Sequence, residues 1–214
     1  MKKVMMSGLV IGLLFFGCGE EATGDKETGK DKTIENCVYT FNPVKSKLNW
    51  TAYKFLNKTG VGGAFTSFDV EGMTKGEDPK AIIESLSFSI PVSTTETNDP
   101  SRNETIQKHF FAQLENTQNI TGKVVRLDEN KEAVIEITMN GITKEIKGSY
   151  TLNDNKFIFG GEINVLNWEA DAGLNALNEE CKDLHTDIEN GDTESKLWPD
   201  VSISFSTELS KSCN

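Results

Sequence analysis

The chain has 214 residues and a formal net charge of −11, with 36% hydrophobic and 26% charged residues. This composition supplies enough apolar side chains for one packed core and too few for a protein that lies within a bilayer. The acidic balance argues against a nucleic-acid-binding protein, because binding to phosphates requires a clustered positive potential.

The first seventeen residues predict a signal peptide. A cationic start, Met1-Lys2-Lys3, precedes an uncharged apolar run over residues 4–17, which is shorter than a membrane-spanning helix. The run ends in Phe-Phe-Gly-Cys and resembles a bacterial lipobox, in which the cysteine is lipidated and becomes the new N-terminus. We therefore expect lipidation of Cys18 and an anchor in a membrane; the alternative is an ordinary cleaved signal with an incidental cysteine.

Residues 18–36 predict the lipidated cysteine followed by a flexible acidic tether. Glycines at 19, 24 and 29 lie among charged residues, with Ile34 as the one aliphatic residue apart from Ala22. Such a segment cannot bury enough apolar surface to offset the entropy of ordering. These features predict an exported, lipid-anchored protein of the bacterial cell envelope, on the periplasmic or the surface face of the outer membrane.

From Cys37 onward the dominant hydrophobic period is two. Ile135, Ile137 and Met139 alternate with Glu136 and Thr138, and the same alternation occurs over residues 86–92, 157–165 and 201–209. Turn residues separate these segments at short and fairly even intervals. The pattern predicts an all-β domain over residues 37–214: an antiparallel barrel of about eight strands, preferred over a sandwich because closure removes exposed edges.

Two segments break this pattern and predict helical excursions. The first begins at Asp99-Pro100, a pair that suits the N-cap and first position of a helix, and continues to Phe110. The second has an apolar stripe at three- and four-residue steps that ends near Gly191. The stripe consists of Leu174, Leu177, Cys181, Leu184 and Ile188.

Four motifs in this order resemble the YceI-like, polyisoprenoid-binding family. They are G-G-A-F at 62–65 with Phe68 and Gly72, S-T-T-E-T-N at 93–98 with R-N at 102–103, F-F at 110–111, and I-T-M-N-G-I-T-K at 137–144. The resemblance implies a lipocalin-like barrel whose apolar interior holds an isoprenoid-type lipid, a quinone or another amphiphile. The chain departs from the family in three places. Asn103 replaces the usual Asp, Gln113 and Leu114 stand where acidic and small residues are commoner, and the stretch 174–198 is longer than the family core.

Inward-facing apolar residues are the predicted lipid-binding set. The alternative is that they pack a solid core, and Phe110, Phe111 and the second helix either form a lid or cap that core. Arg102, Tyr150 and Trp168 are the unranked candidates for contact with a polar head group. The predicted set is Trp50, Phe65, Phe68, Leu86, Phe88, Ile90, Phe110, Phe111, Ile135, Ile137, Ile146, Tyr150, Phe157, Phe159, Ile163 and Phe205. Ala52, Gly148 and Gly161 are the small residues expected to make room for the lipid.

The cysteines predict one disulfide. In a closed barrel with an even number of strands, the start of the first strand and the end of the last lie at the same rim. Cys37 and Cys213 hold these positions, and a bridge between them would stabilise the fold by about 4 kcal/mol. Cys181 remains on the helical stripe and is expected to be a buried thiol.

The chain offers little for catalysis, so we expect no enzyme, no metal and no cofactor. Cys181 and His185 lie four residues apart on one predicted helix, but nothing nearby completes a ligand or nucleophile set. The leading hypothesis is therefore a membrane-anchored lipid carrier. A periplasmic or surface interaction scaffold with a filled barrel is the second, and an enzyme acting on a lipid is the third.

Overall fold

The computed structural model describes residues 36–214; the predicted signal peptide, Cys18 and the tether up to residue 35 lie outside the described residues. The described part contains three α-helices: α1 Pro79–Glu84, α2 Pro100–His109 and α3 Asp171–Glu180. Its strands are β1 Cys37–Thr40, β2 Ser46–Lys54, β3 Thr59–Phe65, β4 Asp69–Glu71, β5 Lys75–Gly76, β6 Ser87–Pro91, β7 Thr95–Glu96, β8 Asn119–Leu127, β9 Glu132–Met139, β10 Ile142–Asn153, β11 Lys156–Asn164, β12 Leu197–Glu208 and β13 Ser210–Cys213.

Ten of these strands form one antiparallel sheet in the order β4-β6-β8-β9-β10-β11-β12-β2-β3-β7. The two ends of this sheet meet. Strands β3 and β4 follow each other in one chain segment, β6 and β7 follow each other in another, and these two segments pair with each other. The pairs Phe65–Thr95 and Val70–Phe88 therefore lie on one ladder, and between them Thr66 N donates to Thr94 O at 3.0 Å. Eight chain segments thus enclose an interior, which confirms the predicted all-β, lipocalin-like barrel of about eight strands.

Period-two alternation sorts the side chains between the interior and the solvent. In β11, Phe157 and Phe159 are each 2% exposed, whereas Ile158 between them is 53% exposed. The alternation that indicated strands in the sequence therefore also fixes which face of each strand is buried.

Helix α1 was not predicted, because the residues from Gly76 to Pro79 suggest a turn. Asp78 caps this helix, since its carboxylate accepts from Lys80 N at 2.8 Å, and Pro79 occupies the first turn. The same Asp-Pro signal begins α2, where Asp99 accepts from Arg102 N. Ile82 and Ile83, on the inner face of α1, are almost fully buried, so the helix seals one end of the barrel.

The second predicted helical segment is shorter than expected. Helix α3 ends at Glu180, and 3₁₀ turns follow at Lys182–His185 and Ile188–Asn190. Asp187 accepts from Asn190 N and so caps a separate turn rather than extending the helix. The prediction of a continuous apolar helix face is wrong beyond Cys181, because Leu184 is 67% exposed and Ile188 is 77% exposed.

A second, three-stranded sheet in the order β13-β1-β5 covers the barrel end that α1 seals. Cys37 and Cys213 are paired across β1 and β13 and form the expected disulfide. Cys181, the remaining cysteine of the described part, is free and half-buried. No helix within residues 36–214 is long and apolar enough to cross a membrane.

Replacing both cysteines, in Cys37→Ser/Cys213→Ser, should lower the free energy of unfolding by about 4 kcal/mol, because the disulfide closes a loop of 176 residues. Guanidinium unfolding followed by circular dichroism measures the change. Cys181→Ser serves as the matched control and should change stability by less than about 1 kcal/mol. Equal stability of the double variant and the control would contradict a stabilising role for the bridge.

Candidate functional site

The barrel interior holds a cavity of about 140 Å³ with an apolar surface, which we call the inner cavity. Strands β2, β3, β4, β6, β8, β9, β11 and β12 contribute to its wall, and Ile83 of α1 lies at its sealed end. Eleven residues of the predicted lipid-binding set line it: Trp50, Phe65, Phe68, Leu86, Phe88, Ile90, Ile135, Ile137, Phe157, Phe159 and Phe205.

A second apolar space of about 140 Å³, the upper cavity, lies between the barrel and helices α2 and α3. Phe110 and Phe111 line it and pack edge to face, with their ring centroids 5.1 Å apart. Leu174 and Leu177 of α3 lie opposite. The two aromatics and the second helix therefore border a cavity, as the lid alternative requires.

The third space, of about 220 Å³, is the mouth cleft, where charged and polar residues join the lining. It adjoins the upper cavity, since Ala52, Ile106 and Leu177 line both. Trp50 lines all three spaces. The three spaces thus form a series that runs from the apolar interior to a polar surface between β2 and α2.

The interior remains hollow because aromatic rings lie against glycines of neighbouring strands. Trp50 is paired with Gly63, and a Cβ atom added at Gly63 would lie 2.6 Å from Cε2 of the indole. Phe88 lies in the same way over its cross-strand partner Gly122. Each ring occupies the space that a side chain on the opposite strand would fill, so it follows the wall instead of crossing the barrel.

Gly148 and Gly161 were expected to make room for a lipid, but both accommodate the ring of Phe159. A Cβ atom at Gly161 would lie 3.0 Å from Cζ of that ring. That expectation is corrected in one respect: the ring of Phe159 fills the space above each glycine, so these glycines leave room in the interior only by letting that ring lie against the wall. Ala52, the third small residue, does line the upper cavity and the mouth cleft.

Three residues of the predicted set do not line any of these spaces. Tyr150 is buried, stacks on Phe157 and donates its hydroxyl to Asp128 O at 2.8 Å. Ile146 belongs to the buried core, and Ile163 packs against that core. These side chains face inward as predicted, but they lie where other side chains fill the interior.

Several lining residues were absent from the predicted set. Ile120 and Val124 of β8 line the inner cavity with Gly122 between them, so an apolar alternation interrupted by a glycine was the available signal. Val70 and Ile203 also contribute. Val70 lies in a three-residue strand that is too short for its periodicity to be recognised.

Among the three candidates for a head-group contact, the structure places only Arg102 at the mouth cleft. Trp168 is fully buried and donates its indole N–H to Ile137 O at 3.1 Å, and the Tyr150 hydroxyl is bonded to backbone. Lys54, at the end of β2, lines the cleft beside Arg102 and was not predicted. Lys54 is a single residue at the end of a strand, and no sequence pattern could have identified it as a residue of the cleft.

Asn103, where the family usually has Asp, organises the loop before α2. Its side-chain oxygen accepts from Thr97 N and Thr97 Oγ1 at 2.8 and 2.7 Å, and its amide donates to Glu96 at 3.1 Å. That bond and those from the backbone of Asn98 and Thr97 hold the pKa of Glu96 below its usual range. Asn103 therefore bonds to the loop, and Arg102 pairs with Asp99 at 3.6 Å instead.

His185 and Cys181 also line the cleft, but in uncharged forms. Burial, and then the positive charge of Lys54, lowers the pKa of His185 to about 4. Burial, and then Glu180, raises the pKa of the Cys181 thiol. His185 Nδ1 lies 3.0 Å from Asn178 Oδ1 and not against the thiol. Within residues 36–214 no three His, Cys, Asp or Glu side chains cluster so as to hold a metal ion.

These features define a closed antiparallel barrel with an apolar interior and a polar mouth. The sequence matches the model of the YceI-like domain over residues 39–209, and the chain belongs to that family.

Two solved structures share the fold. A polyisoprenoid binding domain from Saccharophagus degradans, implicated in plant cell wall breakdown, is 13% identical, with 82% of this chain and 98% of that one covered and a TM-score of 0.56. BcnA from Burkholderia cenocepacia is 16% identical, with 80% and 99% covered and a TM-score of 0.51. No curated protein matches the sequence.

Gly63→Ala should displace the Trp50 ring, because the new Cβ atom would lie closer to the indole than van der Waals contact permits. We expect the free energy of unfolding to fall by about 1–3 kcal/mol and binding of an apolar fluorescent probe to weaken. Gly62→Ala is the matched control on the same strand, since its nearest neighbour would be Trp50 O at 3.9 Å. Equal behaviour of the two variants would contradict the packing of the ring on Gly63.

The unfolding free energy should fall as the pH drops from about 6.5 to 4, in part because of His185. In this window the unfolded histidine binds a proton that the folded one does not, so acidification favours unfolding by up to about 3 kcal/mol. His185→Gln should flatten this part of the pH profile, measured by urea unfolding. An unchanged slope in the variant would show that His185 titrates normally in the folded protein.

Proposed function

We propose that the protein binds an isoprenoid-type lipid in its barrel and carries or stores it at a membrane of the bacterial cell envelope. The observation that carries this proposal is the hollow interior: the inner cavity is bounded by apolar side chains of eight strands and α1. Membership of the YceI-like family supports it, as does the shared fold with a polyisoprenoid binding domain.

The energetics suit a branched hydrocarbon chain. Each buried CH₂ group contributes about 0.8 kcal/mol before the ligand's ordering cost, so binding requires no strong polar contact inside the barrel. The series of spaces extends from the inner cavity past Trp50 and between α2 and α3. A long, slim chain fits such a series better than a compact ligand, and an isoprenoid quinone is one member of this class.

The N-terminal sequence supports the location. In this proposal Cys18 carries the acyl chains, and residues 19–36 connect the anchor to β1. Eighteen residues span at most about 60 Å when extended, so the tether would allow the barrel to approach and leave the membrane that holds it.

Binding without turnover is part of this proposal. Cys181 and His185, the pair that an enzyme acting on a lipid would use, are held as a thiol and a neutral imidazole, and His185 Nδ1 lies against Asn178 Oδ1 rather than against the thiol. The scaffold alternative requires a filled barrel, and the inner cavity of about 140 Å³ argues against it.

Lipid extraction from the natively purified protein, followed by mass spectrometry, tests the proposal. We expect a prenyl lipid in the wild type and at least about tenfold less in Ile135→Trp, because a larger side chain fills the inner cavity. Ile158→Trp adds the same volume on the outer face of β11 and should retain the lipid. Absence of lipid from the wild type, together with no binding of added prenyl compounds, would refute the proposal.

A further inference from the structure

The inner cavity ends on a floor of packed side chains at the closed end of the barrel. Ile83 of α1 belongs to this floor and is 1% exposed. The ring of Phe157, which also lines the cavity, stacks on Tyr150 at a centroid distance of 5.8 Å and lies 6.3 Å from the ring of Phe205. Phe205 in turn contacts Phe68 edge to face at 5.9 Å. Three aromatic rings and Ile83 therefore bound this end of the cavity, and Tyr150 lies behind them.

The floor is backed by the protein core. The Tyr150 hydroxyl donates to Asp128 O at 2.8 Å, which fixes the ring that stacks against the floor. Leu127 ends β8 and Leu209 follows β12, and these two residues of the same core are 2% and 0% exposed. A packed interior of this kind resists the insertion of further groups. A chain that enters from the mouth therefore stops at Ile83.

The volumes of the apolar spaces determine how much of a chain can be buried. The inner cavity and the upper cavity each measure about 140 Å³, and they adjoin, since Phe65, Ile120 and Ile203 line both. An apolar cavity of about 150 Å³ accommodates one molecule of benzene, which is similar in size to one five-carbon prenyl unit. The two cavities thus hold about two prenyl units. The mouth cleft, of about 220 Å³, accommodates a third unit or the polar end of the ligand.

We propose that the barrel selects short prenyl chains, of about two or three units, and that Ile83 sets the limit on their length. This inference rests on the proposed function. Each additional unit strengthens binding only while apolar space remains, because the hydrophobic free energy follows the area that is removed from water. A fourth unit would remain at the polar mouth, exposed to water, and would add nothing to the affinity.

Ile82 and Ile83 provide a matched pair of substitutions. They are adjacent in α1 and are 0% and 1% exposed, but only Ile83 lines the inner cavity, whereas Ile82 lies beside Gly76 of β5. Ile83→Ala therefore lengthens the cavity at its floor, and Ile82→Ala removes the same atoms outside the cavity. Both variants should lose stability, because each deletes buried methyl and methylene groups.

Isothermal titration of the purified protein with geraniol, farnesol and geranylgeraniol tests the limit, since the three alcohols differ only in the number of prenyl units. The wild type should bind farnesol about tenfold or more tightly than geraniol, and geranylgeraniol within about threefold of farnesol. In Ile83→Ala, geranylgeraniol should bind about fivefold or more tightly than farnesol, and Ile82→Ala should keep the wild-type profile. Ratios within each protein remove any general loss of binding.

A wild-type affinity that rises about tenfold again from farnesol to geranylgeraniol would overturn the length limit and leave the proposed function standing. The same holds for an unchanged profile in Ile83→Ala, or for an equal change in both alanine variants. Failure of all three alcohols to bind would refute both proposals. If an alanine variant does not unfold cooperatively, Ile83→Val and Ile82→Val supply the same comparison at a smaller loss of stability, with a preference for geranylgeraniol of about twofold expected in Ile83→Val alone.

Discussion

The packing of aromatic rings on cross-strand glycines is the constraint on which the interior depends. A barrel of eight segments is narrow enough for its own side chains to fill, and this one directs Trp50, Phe88 and Phe159 inward. They leave a cavity because Gly63, Gly122 and Gly148 lack the side chains that would otherwise lift the rings off the wall. The cost of glycine in a strand is offset by apolar surface that covers the backbone.

The interior is graded from apolar to charged along one direction. The inner cavity has a hydrocarbon surface, the upper cavity is bounded by Phe110, Phe111 and α3, and the mouth cleft adds Lys54 and Arg102. Trp50 contributes to every stage, and its indole N–H is buried without a hydrogen-bond partner in the described part of the chain. An amphiphile has the same gradient, with an apolar tail and a polar head, so the wall and the proposed ligand are complementary in order as well as in chemistry.

Local patterns made the fold readable from the sequence. Alternation over β9, β11 and β12 identified the strands and their buried faces, and Asp99-Pro100 identified the start of α2. The site was less accessible, because whether an inward side chain meets a ligand or another side chain depends on its neighbours across the barrel. Ile146 and Ile137 both belong to the buried core and are equally exposed, yet only Ile137 lines one of the three spaces. Lys54 was missed for a similar reason: it lines the mouth cleft with Arg102, which the fold brings from a distant part of the chain.

One end of the barrel is closed by α1 and by the sheet that holds the Cys37–Cys213 bridge. This closure determines the direction in which a bound lipid would move. In the proposed function, a lipid would therefore enter and leave at the opposite end of the barrel, where the mouth cleft lies. A lipid that enters with its apolar chain first would leave with its polar head first, so an acceptor would meet the head before the chain. Transfer of the lipid would then have a fixed orientation, which is set by the end of the barrel that is closed.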